Sequence, residues 1–195
     1  MSGHSHWAGI KHKKEITDQK RAKVFSKLLA LISAAAKTEP DPNFNPRLRT
    51  AIATAKEMAV PQENIERAIK KASEAGNNLE ELLFEAYGPG GIAILIEAVS
   101  DNKNRAIQEI KTILKDHGGK WAESGSVQWA FERTNDPSNP LGTGGYEPKF
   151  PQNIPEADAE KLVTLIDALH ENDSVQNVYT NAASLPAVDE EITPA

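Results

Sequence analysis

Ile92-Ala93-Ile94-Leu95-Ile96-Glu97-Ala98-Val99 is a nearly continuous apolar run, rich in β-branched residues and broken by one carboxylate. A strand that alternates apolar and polar residues buries one face, whereas a run of this kind reads as a central strand buried on both. Leu82 to Tyr87 before it can form a second strand, joined through the turn Gly88-Pro89-Gly90-Gly91. After it, Asn104 to His117 repeats Ala106, Ile107, Ile110, Ile113 and Leu114 at helical spacing and stops at Gly118-Gly119. Val127, Trp129 and Phe131 alternate with Ser126, Gln128 and Ala130, which predicts a strand with one buried face. The Pro/Gly-rich interval Thr134 to Pro155 reads as a linker or long surface loop. Glu156 to Glu171 then predicts a helix with Leu162, Leu165, Ile166 and Leu169 inward, and Ser174 to Thr180 a last strand. The expected class is α+β: an open α/β sandwich with two helices on a four-stranded, mostly antiparallel sheet.

Upstream the period is helical. Thr17 to Ala36 carries Phe25, Leu28, Leu29, Ile32 and Ala36 as one apolar stripe, with Lys20, Lys23 and Lys27 on the opposite side. Thr38 to Phe44, with two prolines, ends that helix, and Asn45-Pro46 caps the next. Leu48, Ile52, Ala55 and Ala59 are its expected buried face. Pro61 opens a third helix with Ile65, Ala68, Ile69 and Ala72 inward and Gly76 as terminator. These readings divide the chain into a basic arm and three-helix bundle (1–78), an α+β domain (79–183) in which 134–155 is a linker, and an acidic, disordered tail (184–195).

Charge is distributed unevenly. Residues 1–37 hold eight Lys/Arg and two acids, a net +6, in a chain whose overall charge is −6, so the remainder carries −12. Such asymmetry marks a segment that meets a polyanion. Lysine and arginine neutralise phosphates and release counterions, and Trp7 offers a face for stacking on an unpaired base. The candidate nucleic-acid-binding residues are Trp7, Lys11, His12, Lys13, Lys14, Lys20, Arg21, Lys23 and Lys27, extended by Arg47 and Arg49.

Other chemistry finds little support. With no cysteine, disulfides, thiolate metal sites and cysteine nucleophiles are excluded. His4, His6 and His12 alternate loosely among lysines without the ligands that would complete a metal site. The pairs Glu80/Glu81 and Glu190/Glu191 fall in expected linker or tail. Neither Gly88-Pro89-Gly90-Gly91 nor Gly142-Thr143-Gly144-Gly145 has the lysine and following helix of a phosphate cradle. No catalytic, metal or cofactor site is expected, so the chain is not read as an enzyme. No apolar run approaches the ~20 residues of a membrane span, and no signal region opens the chain, so a cytoplasmic protein is expected.

Several ordered motifs resemble the YebC/PmpR family of probable transcriptional regulators. They are Gly3-His4-Ser5 with Trp7 and Ile10-Lys11-His12-Lys13, Asn45-Pro46-Arg47-Leu48-Arg49-Thr50-Ala51-Ile52, and the stretch from Pro61 to Lys71. Tyr87-Gly88-Pro89-Gly90-Gly91, Asp101-Asn102-Lys103-Asn104-Arg105, His117-Gly118-Gly119, Glu123-Ser124-Gly125-Ser126-Val127 and Asp173 to Tyr179 follow in order. The resemblance implies a helical N-terminal domain, α+β domains after it, and DNA binding. The same family includes the mitochondrial translational activator of cytochrome c oxidase and bacterial members tied to ribosomes and proline-rich elongation. It places the nucleic-acid surface on Lys11, Lys13, Lys14, Lys20, Arg21, Lys23 and Lys27. Family members usually carry a third domain between the positions of Phe131 and Glu156; here that interval is too short to hold one.

The leading expectation is thus a DNA-binding transcriptional regulator whose first domain grips phosphate while the acidic domain contacts protein, including the transcription machinery. The alternatives are a translation factor on the ribosome touching ribosomal or transfer RNA, and a protein–protein adaptor using the acidic domain alone. Nothing in the sequence sets the oligomeric state.

Overall fold

The computed structural model describes residues 18–72, 74, 78–134 and 145–185. In it the apolar run is a central strand. β1 (Glu80–Tyr87) and β2 (Ala93–Ser100) pair antiparallel from Glu80 opposite Ser100 to Tyr87 opposite Ala93. The turn between them needs left-handed backbone at Gly90 (φ 72°) and Gly91 (φ 74°), and a Cβ on Gly90 would lie 2.8 Å from Ile154. β3 (Lys120–Ala122) joins the outer side of β1, and β6 (Val175–Thr180) the other side of β2, giving the order β3-β1-β2-β6, antiparallel throughout.

Two helices cover one face. α4 (Lys103–Asp116) is capped by Asn102, whose side chain accepts from the Arg105 amide, and ends at Gly118 with φ 74°. α5 (Glu156–Glu171) buries Leu162, Leu165, Ile166 and Leu169, as its period predicts. With Ile94, Ile96, Ala98, Ile110 and Leu114 these side chains form the larger core. The α+β class and the four-stranded sheet under two helices are borne out.

The other face of the sheet is covered in two places by two different bodies. At one end lie α1 (Asp18–Ala36), α2 (Pro46–Glu57) and α3 (Gln62–Ala72), whose core of Leu28, Ile32, Leu48, Ala55 and Ile65 takes in Val99 from β2. At the other end, Ala93 and Leu95 pack with Val127, Ala130 and Phe131 under a two-stranded ribbon of β4 (Phe131–Thr134) and β5 (Gly145–Pro148). Both faces of β2 are therefore buried, by three separate cores.

Three expectations are corrected here. The alternation from Val127 to Phe131 is not a strand: residues 128–130 form a 3-10 turn, Val127 and Phe131 are buried, and Trp129 is 63% exposed, its ring 5.8 Å from that of Phe150 at a tilt of 47°. The sheet's third strand is instead the short β3. The interval 134–155 is also not loop throughout, because β5 pairs with β4 from Phe131 opposite Pro148 to Thr134 opposite Gly145. Ala59, read as part of α2's buried face, is exposed and left-handed (φ 60°), while Ala51 and Thr54 are buried in its place. Thr17 and Gly76 lie outside the described residues. In the expected tail, Leu185 packs against the larger core.

Candidate nucleic-acid interface

Trp7, Lys11, His12, Lys13 and Lys14 lie outside the described residues. Lys20 falls in the first turn of α1. Arg21, one position on, is exposed, with its guanidinium carbon 5.4 Å from the ring centre of Phe25, a cation–π contact within one helical turn.

Lys23 and Lys27 are not a solvent-facing row. α1 buries more of its circumference than one stripe, because Leu31, Ala34 and Ala35 are inside as well as Leu28, Ile32 and Ala36. That packing turns the two lysines toward the C-terminal end of α5. The Lys23 ammonium lies 2.7 Å from the Glu171 carboxylate, also donates to the Glu171 carbonyl, and stands 3.9 Å from Asp173. Lys27 donates to the His170 carbonyl at 2.7 Å. The last carbonyls of a helix carry the negative end of its dipole and attract cations. Burial is the main reason the Lys27 ammonium falls to about 8, with the Lys23 charge adding to it and Asp173 and Glu171 opposing. Burial likewise lowers His170 to about 4, reinforced by Lys27, so its imidazole is neutral at pH 7.

The two candidate arginines of α2 differ. Arg47 is ion-paired with Glu81 on β1, tying the helical layer to the sheet. Burial raises Glu81 above the ordinary carboxylate range; Arg47 opposes the shift and the nearby Glu97 adds to it. Arg49 is exposed, and its guanidinium donates to the Pro42 carbonyl at 3.3 Å. Arg21 and Arg49 are thus outward-facing candidates, whereas Lys23, Lys27 and Arg47 join one layer of the protein to another.

Residues that the sequence reading passed over meet in the gap between the two bodies covering the sheet. A cleft of about 200 Å³ opens there. Its floor is Glu81, Leu83, Glu97 and Gln176; Leu31 and Arg47 form one wall, and Arg133 and Tyr146 the other. Glu97, the one carboxylate in the apolar run, accepts from the Asn177 amide at 2.8 Å and the Tyr179 hydroxyl at 3.0 Å. That interruption was the available signal for this site. Among the described residues, no three His, Asp or Glu are grouped to hold a metal ion, and no helix is long and apolar enough to cross a membrane.

Residues 5–75 match the model of the TACO1/YebC protein N-terminal domain, and residues 79–135 that of the TACO1/YebC second and third domain. A "probable transcriptional regulatory protein" of Desulfosudis oleivorans is 38% identical, over 97% of this chain and 100% of its own length. One from Thermoanaerobacter pseudethanolicus is 39% identical, over 93% of this chain and 96% of its own. Among solved structures, a conserved hypothetical protein of Aquifex aeolicus matches with a TM-score of 0.83 at 33% identity, covering 97% of this chain and 100% of that one. The Desulfosudis alignment runs over 245 positions against 195 residues here, so at least 50 of them have no counterpart in this chain. Two family models matched in succession, and relatives of this identity over nearly the full length, mean that the chain belongs to the TACO1/YebC family.

Proposed function

We propose that this chain is a non-enzymatic nucleic-acid-binding regulator of the transcriptional kind named for its relatives, gripping phosphate with its N-terminal region. The observation that carries this reading is the division of charge, +6 in residues 1–37 against −12 in the rest. The phosphate contacts fall to Lys11, Lys13 and Lys14 with Trp7 and His12, joined by Lys20, Arg21 and Arg49. Lys23 and Lys27 hold α1 against α5 and so position the segment that leads to these residues. The acidic α+β region is suited to protein contacts.

DNA affinity measured across a salt series tests this. The logarithm of the binding constant should fall linearly with that of salt concentration, by about 0.9 per phosphate contacted. Changing Lys11, Lys13 and Lys14 together to Glu should weaken binding and flatten the slope by roughly 3. Binding that is absent at low salt, or indifferent to salt, defeats the proposal.

A second reading, an RNA-binding translation factor on the ribosome, is favoured by one observation. On α2 one of the two candidate arginines, Arg47, is paired with Glu81 and only Arg49 faces outward, a single cation that suits phosphate contact better than the reading of base edges in a DNA groove by a set of Arg, Asn or Gln. Failure to co-sediment with translating ribosomes in sucrose gradients counts against it.

A further inference from the structure

Phe44 is the most exposed large apolar side chain among the described residues, at 78%. It stands in the connection between α1 and α2 and belongs to no core. Single apolar side chains on a surface are ordinary; what sets this one apart is how firmly the connection is held. Pro40 and Pro42 fix two of its φ angles. The buried Asn45 side chain donates to the Ala35 carbonyl at 2.9 Å and the Glu39 carbonyl at 2.8 Å, and accepts from the Leu48 amide at 3.0 Å. The Phe44 and Asn45 amides both bond to the Asp41 carbonyl. Both carboxylates of the connection are turned into it: Glu39 accepts from the Asp41 amide, and Asp41 from the main-chain and side-chain amides of Asn43. A ring displayed on so fixed a backbone has only its two side-chain torsions left to order, so contact with it costs little entropy.

The charge beside the ring selects the partner. Arg49 on α2 is exposed and reaches back to the Pro42 carbonyl at 3.3 Å, which holds its guanidinium at the same connection. Lys37 is exposed at the start of it. Residues 18–72 hold eleven Lys/Arg and six acids, a net +5, so the ring sits on a basic body. An aromatic face beside a cation on a basic surface is how single-stranded nucleic acids are held, base on ring and phosphate on cation. A stacked duplex keeps its base faces covered, so the ring suits a base that is unpaired.

We infer that Phe44 and Arg49 form a second nucleic-acid contact, in which the ring stacks on an unpaired base and the guanidinium takes an adjoining phosphate. The contact rests on the phosphate-binding reading above and extends it along the bundle. α1 spans 19 residues, about 28 Å at its rise per residue, so the first turn of α1 and this connection stand about eight stacked nucleotides apart. A single strand of about twelve nucleotides is long enough to run from one to the other.

The test titrates the full chain, across a salt series, with oligoadenylate of about twelve nucleotides, as RNA and as DNA, and with a DNA duplex of the same length. Phe44→Ala should weaken binding of the single strands by at least about fivefold, the lower end of what one stacked base contributes. It should leave the salt slope unchanged, because the ring carries no charge. Arg49→Gln should lower that slope by about 0.7, one phosphate's share on a single strand. Phe44→Leu, apolar but without a π face, should bind as weakly as Phe44→Ala, and Phe44→Trp should restore the parent affinity. All three Phe44 variants should keep the parent's melting temperature, since the exposed side chain packs in no core. With para-fluorophenylalanine in place of phenylalanine, the Phe44 fluorine resonance, assigned by its loss in Phe44→Leu, should move upfield as single strand is added. Changing Lys11, Lys13 and Lys14 to Glu should weaken the single strands yet leave that shift intact at saturation. A Phe44→Ala loss confined to RNA or to DNA supports the contact and assigns its strand. A parent that binds with a salt slope while Phe44→Ala or Phe44→Leu binds as well overturns the stacking contact, leaves the ring to a protein partner, and spares the phosphate-binding reading. An equal loss on the duplex overturns it in favour of a wedge between paired bases. A parent that binds no nucleic acid overturns both readings.

Discussion

Glu85 shows what a single side chain can hold in this protein. It lies on β1 at 4% exposure, and its carboxylate accepts from the main-chain N–H groups of Gly125 (2.6 Å), Val127 (2.7 Å) and Gln128 (3.0 Å). One anion thus satisfies three donors of the turn that carries Val127 and Ala130 into the smallest core. Glu85→Gln keeps the size but turns an acceptor oxygen into a donating NH2 that faces those same N–H groups. We expect a loss of about 2–3 kcal/mol in urea unfolding with an unchanged m-value; a loss below about 0.5 kcal/mol would mean that the turn is held by other contacts. None of this is legible in sequence, where Glu85 alternates with Phe84 and Ala86 as a solvent-facing strand residue would. Its partners lie some 40 residues away. The partners of Glu97 escaped for the same reason: what a polar residue does depends on what packs over it, and only local period is visible in the sequence.

At the scale of elements, long segments were legible and short ones were not. α4 and α5 fell within a residue of their expected bounds because each repeats an apolar face over several turns. β3 has three residues, too few for any period, so the sheet's third strand was assigned to the alternating stretch after it. That alternation of Val127, Trp129 and Phe131 is real in the sequence but is produced by a turn anchored on Glu85. The C-terminus of α2 gives a further test. The Val60 amide bonds to the Ala55 carbonyl at 2.8 Å and the Ala59 amide to that of Lys56 at 3.0 Å. This is a Schellman closure with alanine in the left-handed position where glycine is usual. A non-glycine residue there costs roughly 1–2 kcal/mol, part of which glycine returns through its freer unfolded chain. Ala59→Gly should therefore stabilise the protein by about 0.5–1 kcal/mol, raising the melting temperature by roughly 1–4 °C. An unchanged or lower melting temperature would refute the strain argument.

For the whole molecule, the charge asymmetry was legible but its internal use was not. Part of the basic N-terminal segment binds the acidic remainder of the same chain: Lys23 meets Glu171 and Lys27 caps α5 at His170, while Arg47 on α2 pairs with Glu81. Lys27 and His170 make the α1–α5 junction sensitive to pH, and both have folded-state values below their ordinary ones. Lys27 drops from 10.5 to about 8 and His170 from 6.5 to about 4. Between pH 8 and 10.5 the unfolded chain keeps the Lys27 proton that the folded chain has released, so stability rises with pH across that window. Between pH 6.5 and 4 the unfolded chain takes up a proton at His170 that the folded chain refuses, so stability falls on acidification. Lys27→Met removes the buried ammonium while keeping most of its length. Measured by urea unfolding, it should be more stable than the parent at pH 7 by about 1–3 kcal/mol, and the difference should shrink as pH approaches 10. The variant should also lose the alkaline rise while keeping the larger part of the acid fall, whose main cause is the burial of His170, and His170→Leu should reduce that fall in turn. Equal slopes in parent and Lys27→Met between pH 8 and 10 would show that Lys27 remains charged and solvated, and that α1 docks on α5 without it.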